Sequence, residues 1–141
     1  MAAERFVLDQ RLEGDSIKLT RLGLCTLRLM NDSRWPWLLL VPQRVGIEEI
    51  HQLTPLDQTM LTFETALVSA ALKEATGCEK INIGALGNRV RQLHIHVIAR
   101  NEADTNWPDP VWGFGKRKAY QDDECKELRK RILGKLEAQN I

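Results

Sequence analysis

The stretch QLHIHVI, Gln92 to Ile98, constrains the fold more than any other part of the chain. Successive side chains of a strand point to opposite faces, so Gln92, His94 and His96 share one face and Leu93, Ile95 and Val97 share the other. A polar row backed by an apolar row requires a sheet with one face on a hydrophobic core. The polar row itself is open to three readings: a catalytic platform, a metal site, or a solvated sheet face.

Other segments supply partners for that strand. In LCTLRLM, Leu24 to Met30, Cys25, Leu27 and Leu29 alternate with Thr26 and Arg28, as in a half-covered antiparallel strand. Asn31-Asp32-Ser33 signals a turn. PWLLLVP, ending at Pro42, is a continuous apolar run of strand length that suits a strand covered on both faces. These two strands form a hairpin.

Thr54-Pro55-Leu56-Asp57 opens a helix, with Thr54 as cap, Pro55 at the first helical position and Asp57 at the positive end of the dipole. Leu56, Met60, Phe63, Leu67 and Ala71, with Leu61, Val68 and Leu72 beside them, are expected to form one wide buried stripe, which Gly77 ends. INIGAL from Ile81 and QLHIHVIAR from Gln92 read as two further strands, joined by Gly87-Asn88-Arg89-Val90-Arg91. Residues 101–118, with NWPDPVWGFG at their centre, have no periodicity and read as a loop. Behind Asp122, Asp123 and Glu124, the residues Cys125, Leu128, Ile132 and Leu136 recur at helical spacing, which predicts an amphipathic C-terminal helix over about 122–139.

Composition narrows the classes of function. A chain of 141 residues fits one domain, 1–141, with its core over about 5–112. Twenty basic and nineteen acidic residues leave a formal charge of +1, which advertises neither a nucleic-acid nor a membrane surface. Cys25, Cys78 and Cys125 are odd in number, far apart and in no C-x-x-C spacing. That argues against a disulfide scaffold or a thiolate zinc site and fits a reducing compartment. Glu4, Arg5 and Asp9 do not suit a signal peptide, and the apolar run Trp35 to Pro42 is too short to span a bilayer. A soluble cytoplasmic protein is expected.

The two histidines gain meaning from the residues before them. Asn82, Gly84, Gly87 and Asn88 form a short segment whose N–H groups and amides can gather around a phosphate; an ordinary hairpin turn is the alternative. An imidazole is largely neutral near pH 7, and a proton held on Nδ1 by a backbone carbonyl leaves Nε2 free to attack phosphorus. A metal site needs a third ligand, and His51, beside Glu48 and Glu49 in IEEIHQL, reads as the exposed side of a surface element.

Together these motifs resemble the histidine triad superfamily. QLHIHVI resembles its signature His-φ-His-φ-His-φ-φ, φ being apolar, with Gln92 in place of the first histidine. NDSRWPWLLLVPQR resembles the approach to the family's L-V-x-P strand, NIGALGNRV its Asn-x-Gly…Gly-Gln-Ser-Val phosphate loop, and NWP the His-Trp-Pro of its Hint branch. The resemblance implies an α+β fold with a five-stranded antiparallel sheet, usually paired as a homodimer. It implies a hydrolase or transferase acting at the α-phosphate of a purine nucleotide, on phosphoramidate or dinucleotide-type substrates, with no cofactor and no metal.

On that resemblance His94 matches the nucleophile that forms a covalent nucleotidyl intermediate, and His96 the donor to the phosphoryl and leaving-group side. Gln92 can hydrogen-bond in the same row but cannot shuttle a proton. Asn31 matches a ribose contact, and Asn82 and Asn88 match residues that contact phosphate or position the reacting groups. Arg89 stands where Ser is common and either binds an anionic leaving group or points to solvent. Trp107 either closes the site, across the dimer, or serves as packing. Trp37 stands where relatives often have a supporting His. Two alternatives remain at this level: a nucleotide-binding module with lost catalysis, motivated by Gln92, Arg89 and Trp37, and a metal-binding H-x-H protein.

Overall fold

The structure is a computed structural model that describes residues 4–139. Its elements are α1 (Gln10–Asp15), β1 (Ser16–Arg21), β2 (Cys25–Met30), β3 (Trp37–Pro42), α2 (Pro55–Thr76), β4 (Lys80–Gly84), β5 (Ile95–Arg100) and α3 (Asp122–Gln139). The strands form one sheet in the order β1-β2-β3-β5-β4, with every neighbouring pair antiparallel. This is the expected α+β fold with five strands.

The expected two-residue period divides the sheet into two faces. Leu27, Leu29, Leu38, Leu40, Ile95, Val97 and Ala99 point to one side, where α2 and α3 cover them and Leu128, Ile132 and Leu136 complete the core. On the other side Trp37, Leu39, Val41 and Ile98 pack with Leu12 of α1, Trp35 and Val111. Burial of both faces explains why β3 is apolar throughout.

Three details differ from the sequence reading. Neither α1 nor β1 is among the expected elements, although Ser16 to Thr20 alternate polar and apolar residues; in the structure a register irregularity between Lys18 and Thr20 buries Ser16 and Leu19, three apart, instead of alternate residues. The strand expected from Gln92 begins at Ile95, since the Leu93 N–H leaves the ladder for the Ile47 carbonyl at 3.0 Å. The third concerns α2. Its ends are as expected, with Thr54 Oγ1 accepting from the Asp57 N–H at 3.1 Å and Gly77 closing the helix in the left-handed conformation.

The face of α2 that is buried, however, is Leu61, Glu64, Val68, Ala71, Leu72 and Ala75. Leu56 and Phe63 are 75% and 61% exposed, and Met60 is also exposed, so the expected stripe is split. Glu64 supplies the physical reason. Its carboxylate reaches the β1–β2 turn, where Oε2 accepts from the Leu24 N–H at 2.8 Å and Oε1 from the Cys25 N–H at 2.9 Å. Two backbone donors that the turn leaves unpaired are thereby satisfied inside the core. The rotation that buries Glu64 turns Leu56, Met60 and Phe63 outward. Glu64→Leu leaves both donors without a partner and is expected to lower stability by about 2–4 kcal/mol, measured as a shift of the urea midpoint.

Candidate active site

His94 and His96 reach the sheet face opposite α2, as their alternation with Leu93, Ile95 and Val97 requires. Both are nearly buried, at 7% and 5% exposure, and their ring centroids are 5.0 Å apart. Each ring is held by a different hydrogen bond. His94 Nδ1 lies 2.7 Å from the backbone carbonyl of Gln92, an acceptor only, so Nδ1 carries a proton and, in the neutral ring, the lone pair sits on Nε2. Nε2 makes no hydrogen bond among the described residues.

His96 is held in the opposite tautomer. The Trp37 indole N–H donates to His96 Nδ1 at 2.9 Å, and because an indole only donates, the imidazole proton must sit on Nε2. Trp37 and His96 come from neighbouring strands, with Trp37 opposite Ile98 and Leu39 opposite His96. Trp112 meets the other side of His96 edge-on at 5.4 Å, and its ring lies so close to Gly84 that a Cβ there would come within 3.0 Å. Burial, and then the nearby His94, push His96 down to about 3, so the ring is neutral at pH 7.

Gln92 does not direct its side chain at these rings. Its Nε2 donates to the Val7 carbonyl at 2.8 Å and its Oε1 accepts from the Asp9 N–H at 2.9 Å, strapping the N-terminal segment beside the histidines. Arg11 continues the strap by donating to the Arg89 carbonyl at 2.8 Å. Asn31 Oδ1 accepts from the Tyr120 N–H at 2.9 Å, and Asn82 Oδ1 from Arg100 at 3.1 Å, so both amides have protein partners. Arg100 is buried and also pairs with Asp104, and it lies 5.6 Å from the Trp107 ring. Trp107 therefore packs on Arg100, while Trp37 and Trp112 are the tryptophans against His96. Asn88 and Arg89 are exposed on the loop after β4.

That loop borders a cleft of about 410 Å³ that has His94 in its wall, together with Glu48, His51, Leu86, Arg91 and Gln92. His51 is exposed, as expected, yet it shares this cleft with His94. Neither Arg91 nor Trp112 carries a local signal in the sequence, since Arg91 lies in a loop and Trp112 in a stretch without periodicity. Arg28, read as part of the polar face of β2, is buried and binds Ser16 through Oγ at 2.7 Å and the carbonyl at 3.0 Å. Among the described residues, no three of His, Cys, Asp or Glu are grouped to hold a metal ion. No helix among them is long and apolar enough to cross a membrane.

A two-helix-covered antiparallel sheet with a paired-histidine strand beside an Asn/Gly loop defines a class, and the comparisons agree with it. The HIT domain model matches residues 11–103. A histidine triad protein of Sinorhizobium meliloti is 65% identical, with 92% of this chain and 96% of that one covered and a TM-score of 0.91. Histidine triad proteins of Bradyrhizobium japonicum and Marinobacter aquaeolei are 41% and 40% identical, with TM-scores of 0.92 and 0.93. They cover 94% and 96% of this chain, and 99% of each is covered in turn. No protein in the curated set matches. The chain belongs to the histidine triad (HIT) family, whose members are generally nucleotide-binding hydrolases and transferases.

The depressed value of His96 has a consequence for stability. An unfolded chain takes up a proton on this histidine near pH 6.5 and the native chain does not. The contribution is therefore complete above about pH 6.5 and declines as the pH falls from there toward about 3. Between pH 7 and pH 5, His96→Gln, which keeps an acceptor for Trp37, is expected to lose about 2 kcal/mol less stability than the parent, read from urea midpoints.

Proposed function

We propose that this protein hydrolyses or transfers nucleotidyl groups at the α-phosphate of a purine nucleotide conjugate, through a covalent nucleotidyl-His94 intermediate. The observation that carries this reading is the hydrogen bond from His94 Nδ1–H to the Gln92 carbonyl, which makes Nε2 the nucleophilic nitrogen of the neutral ring. Nε2 attacks the α-phosphorus and the bond to the leaving group breaks. The positive charge that develops on the ring is stabilised by the carbonyl at Nδ1. Water then attacks phosphorus and gives up a proton to solvent, the P–N bond breaks, and its electron pair returns to Nε2. His96 Nε2–H is a donor for the phosphoryl oxygens, preorganised by Trp37. The loop carrying Asn88 and Arg89 borders the route for phosphate and leaving group.

Incubation with AMP and GMP conjugates of both oxygen and nitrogen leaving groups is expected to release the nucleotide and leave a nucleotidyl adduct on His94, mapped by mass spectrometry. His94→Ala should lose the adduct and lower kcat by roughly three orders of magnitude or more. Unchanged turnover in that variant would refute the nucleophile. Calorimetric binding of AMP or GMP without turnover of any conjugate would instead favour the binding-module reading.

The outward row of α2 supports a homodimer. Leu56, Met60 and Phe63 are exposed on α2, and β4 is an edge strand whose exposed Ile83 points to the same side of the sheet as α2. An open edge and an exposed apolar row on the same side of the sheet favour pairing with another copy. Phe63→Lys is expected to convert the dimer to a monomer in light scattering while the circular dichroism spectrum is retained.

A further inference from the structure

The hydrogen-bond partner of His96 Nδ1 is the Trp37 indole, and the consequence for proton transfer is specific. A histidine at that position can donate to His96 Nδ1 or accept from it, according to tautomer, so the pair can rearrange its protons. An indole can only donate. With Trp37 Nε1–H aimed at Nδ1 at 2.9 Å, His96 cannot take a second proton there without losing that bond and setting two N–H groups against each other. The environment offers no compensation. The ring is faced by Trp37 from β3, by Trp112 from the segment after β5 and by His94, and no carboxylate pairs with it among the described residues.

The geometry points to Trp37 as a specificity-determining, positioning residue: it holds His96 as a neutral hydrogen-bond donor that cannot act as a general acid, so the protein acts on nucleotidyl conjugates whose leaving group departs as a stable oxyanion. This inference rests on the His94 mechanism proposed above. When Nε2 attacks the α-phosphorus, a phosphate or carboxylate leaves with the bonding electron pair and needs no proton. An alkylamine would have to leave as an amide anion unless an acid protonates its nitrogen as the P–N bond breaks. A neutral imidazole N–H stabilises phosphoryl charge but does not transfer its proton. Other candidate acids near His94 are Asp9 and, in the cleft wall, Glu48, Glu49 and His51. Asp9 is held below the ordinary carboxyl value by its hydrogen bonds from Arg11 and is ionised at neutral pH. His51 is the other imidazole in the cleft wall.

The test compares, at neutral pH, adenylyl conjugates that differ only in leaving group: a phosphoanhydride, a series of aryl phosphodiesters of graded leaving-group pKa, and an alkyl phosphoramidate. General-acid assistance contributes roughly 10²–10⁴-fold, so kcat/KM for the phosphoramidate should fall below that of the anhydride by about that factor. The aryl series should show a steep dependence on leaving-group pKa. Trp37→His should narrow the gap by about tenfold or more and flatten that dependence. Trp37→Phe, which keeps an aromatic ring but no donor, should free the His96 tautomer, seen in the ¹⁵N shifts of the ring. In the parent protein those shifts should report an Nε2–H tautomer.

Comparable rates for amine and oxyanion leaving groups in the parent protein would overturn the inference. Loss of the amine rate in His51→Gln would then identify His51 as the acid. A parent His96 that carries its proton on Nδ1 would overturn it as well. If neither substrate class leaves an adduct on His94, the underlying mechanism fails; if both do at similar rates, only the leaving-group inference fails.

Discussion

The apolar row of β5 is the constraint on which the site depends. Ile95, Val97 and Ala99 are buried under α2 and α3, and this commits His96 and Arg100 to the other face, with no freedom to slip by one residue. Register with β3 then brings Trp37 within hydrogen-bond reach of His96, and register with β4 sets Gly84 opposite His96. A one-residue shift would bury both imidazoles in the α2 core without partners. The chemistry of the site and the packing of the fold are thus set by the same ladder.

Within that frame the two histidines differ because their Nδ1 atoms meet opposite partners. A carbonyl at His94 makes Nδ1 a donor, and an indole at His96 makes Nδ1 an acceptor. One ring is left with a free lone pair and the other with a free N–H. Such a division needs no charge on either ring, which suits a pair 5.0 Å apart in a largely buried setting, where two imidazolium ions would repel. Gln92 contributes through its backbone to His94 and through its amide to Val7 and Asp9. The first position of the row therefore joins the N-terminal segment to the site, an arrangement in which an amide offers both a donor and an acceptor to backbone.

Much of the fold was legible. Strand alternation, the Thr54-Pro55 helix start, the Gly77 stop and the spacing of Leu128, Ile132 and Leu136 are local signals, and they lead to the right elements. β1 carries a short alternation, Ser16 to Thr20, but its burial does not follow it, because the register shifts between Lys18 and Thr20. The α2 stripe was misjudged because apolarity alone does not distinguish a core from an interface, and because the pull of two unpaired N–H groups on Glu64 cannot be seen in a helix read by itself. The convergence of His94 and His96 followed from alternation. The engagement of Asn31 with Tyr120 and of Asn82 with Arg100 did not, since those partners lie 89 and 18 residues away.

The sequence by itself determined which residues share a face, which segments are helix or strand, and that two imidazoles stand in one row, because these follow from backbone periods that operate over a few residues. Only the tertiary structure decided the tautomer of each histidine, the strap through Gln92, the choice of Trp112 over Trp107 beside His96, and the outward turn of Leu56, Met60 and Phe63. Each of these depends on which distant donor, acceptor or void a side chain meets once the sheet has closed, and such meetings have no period in the chain.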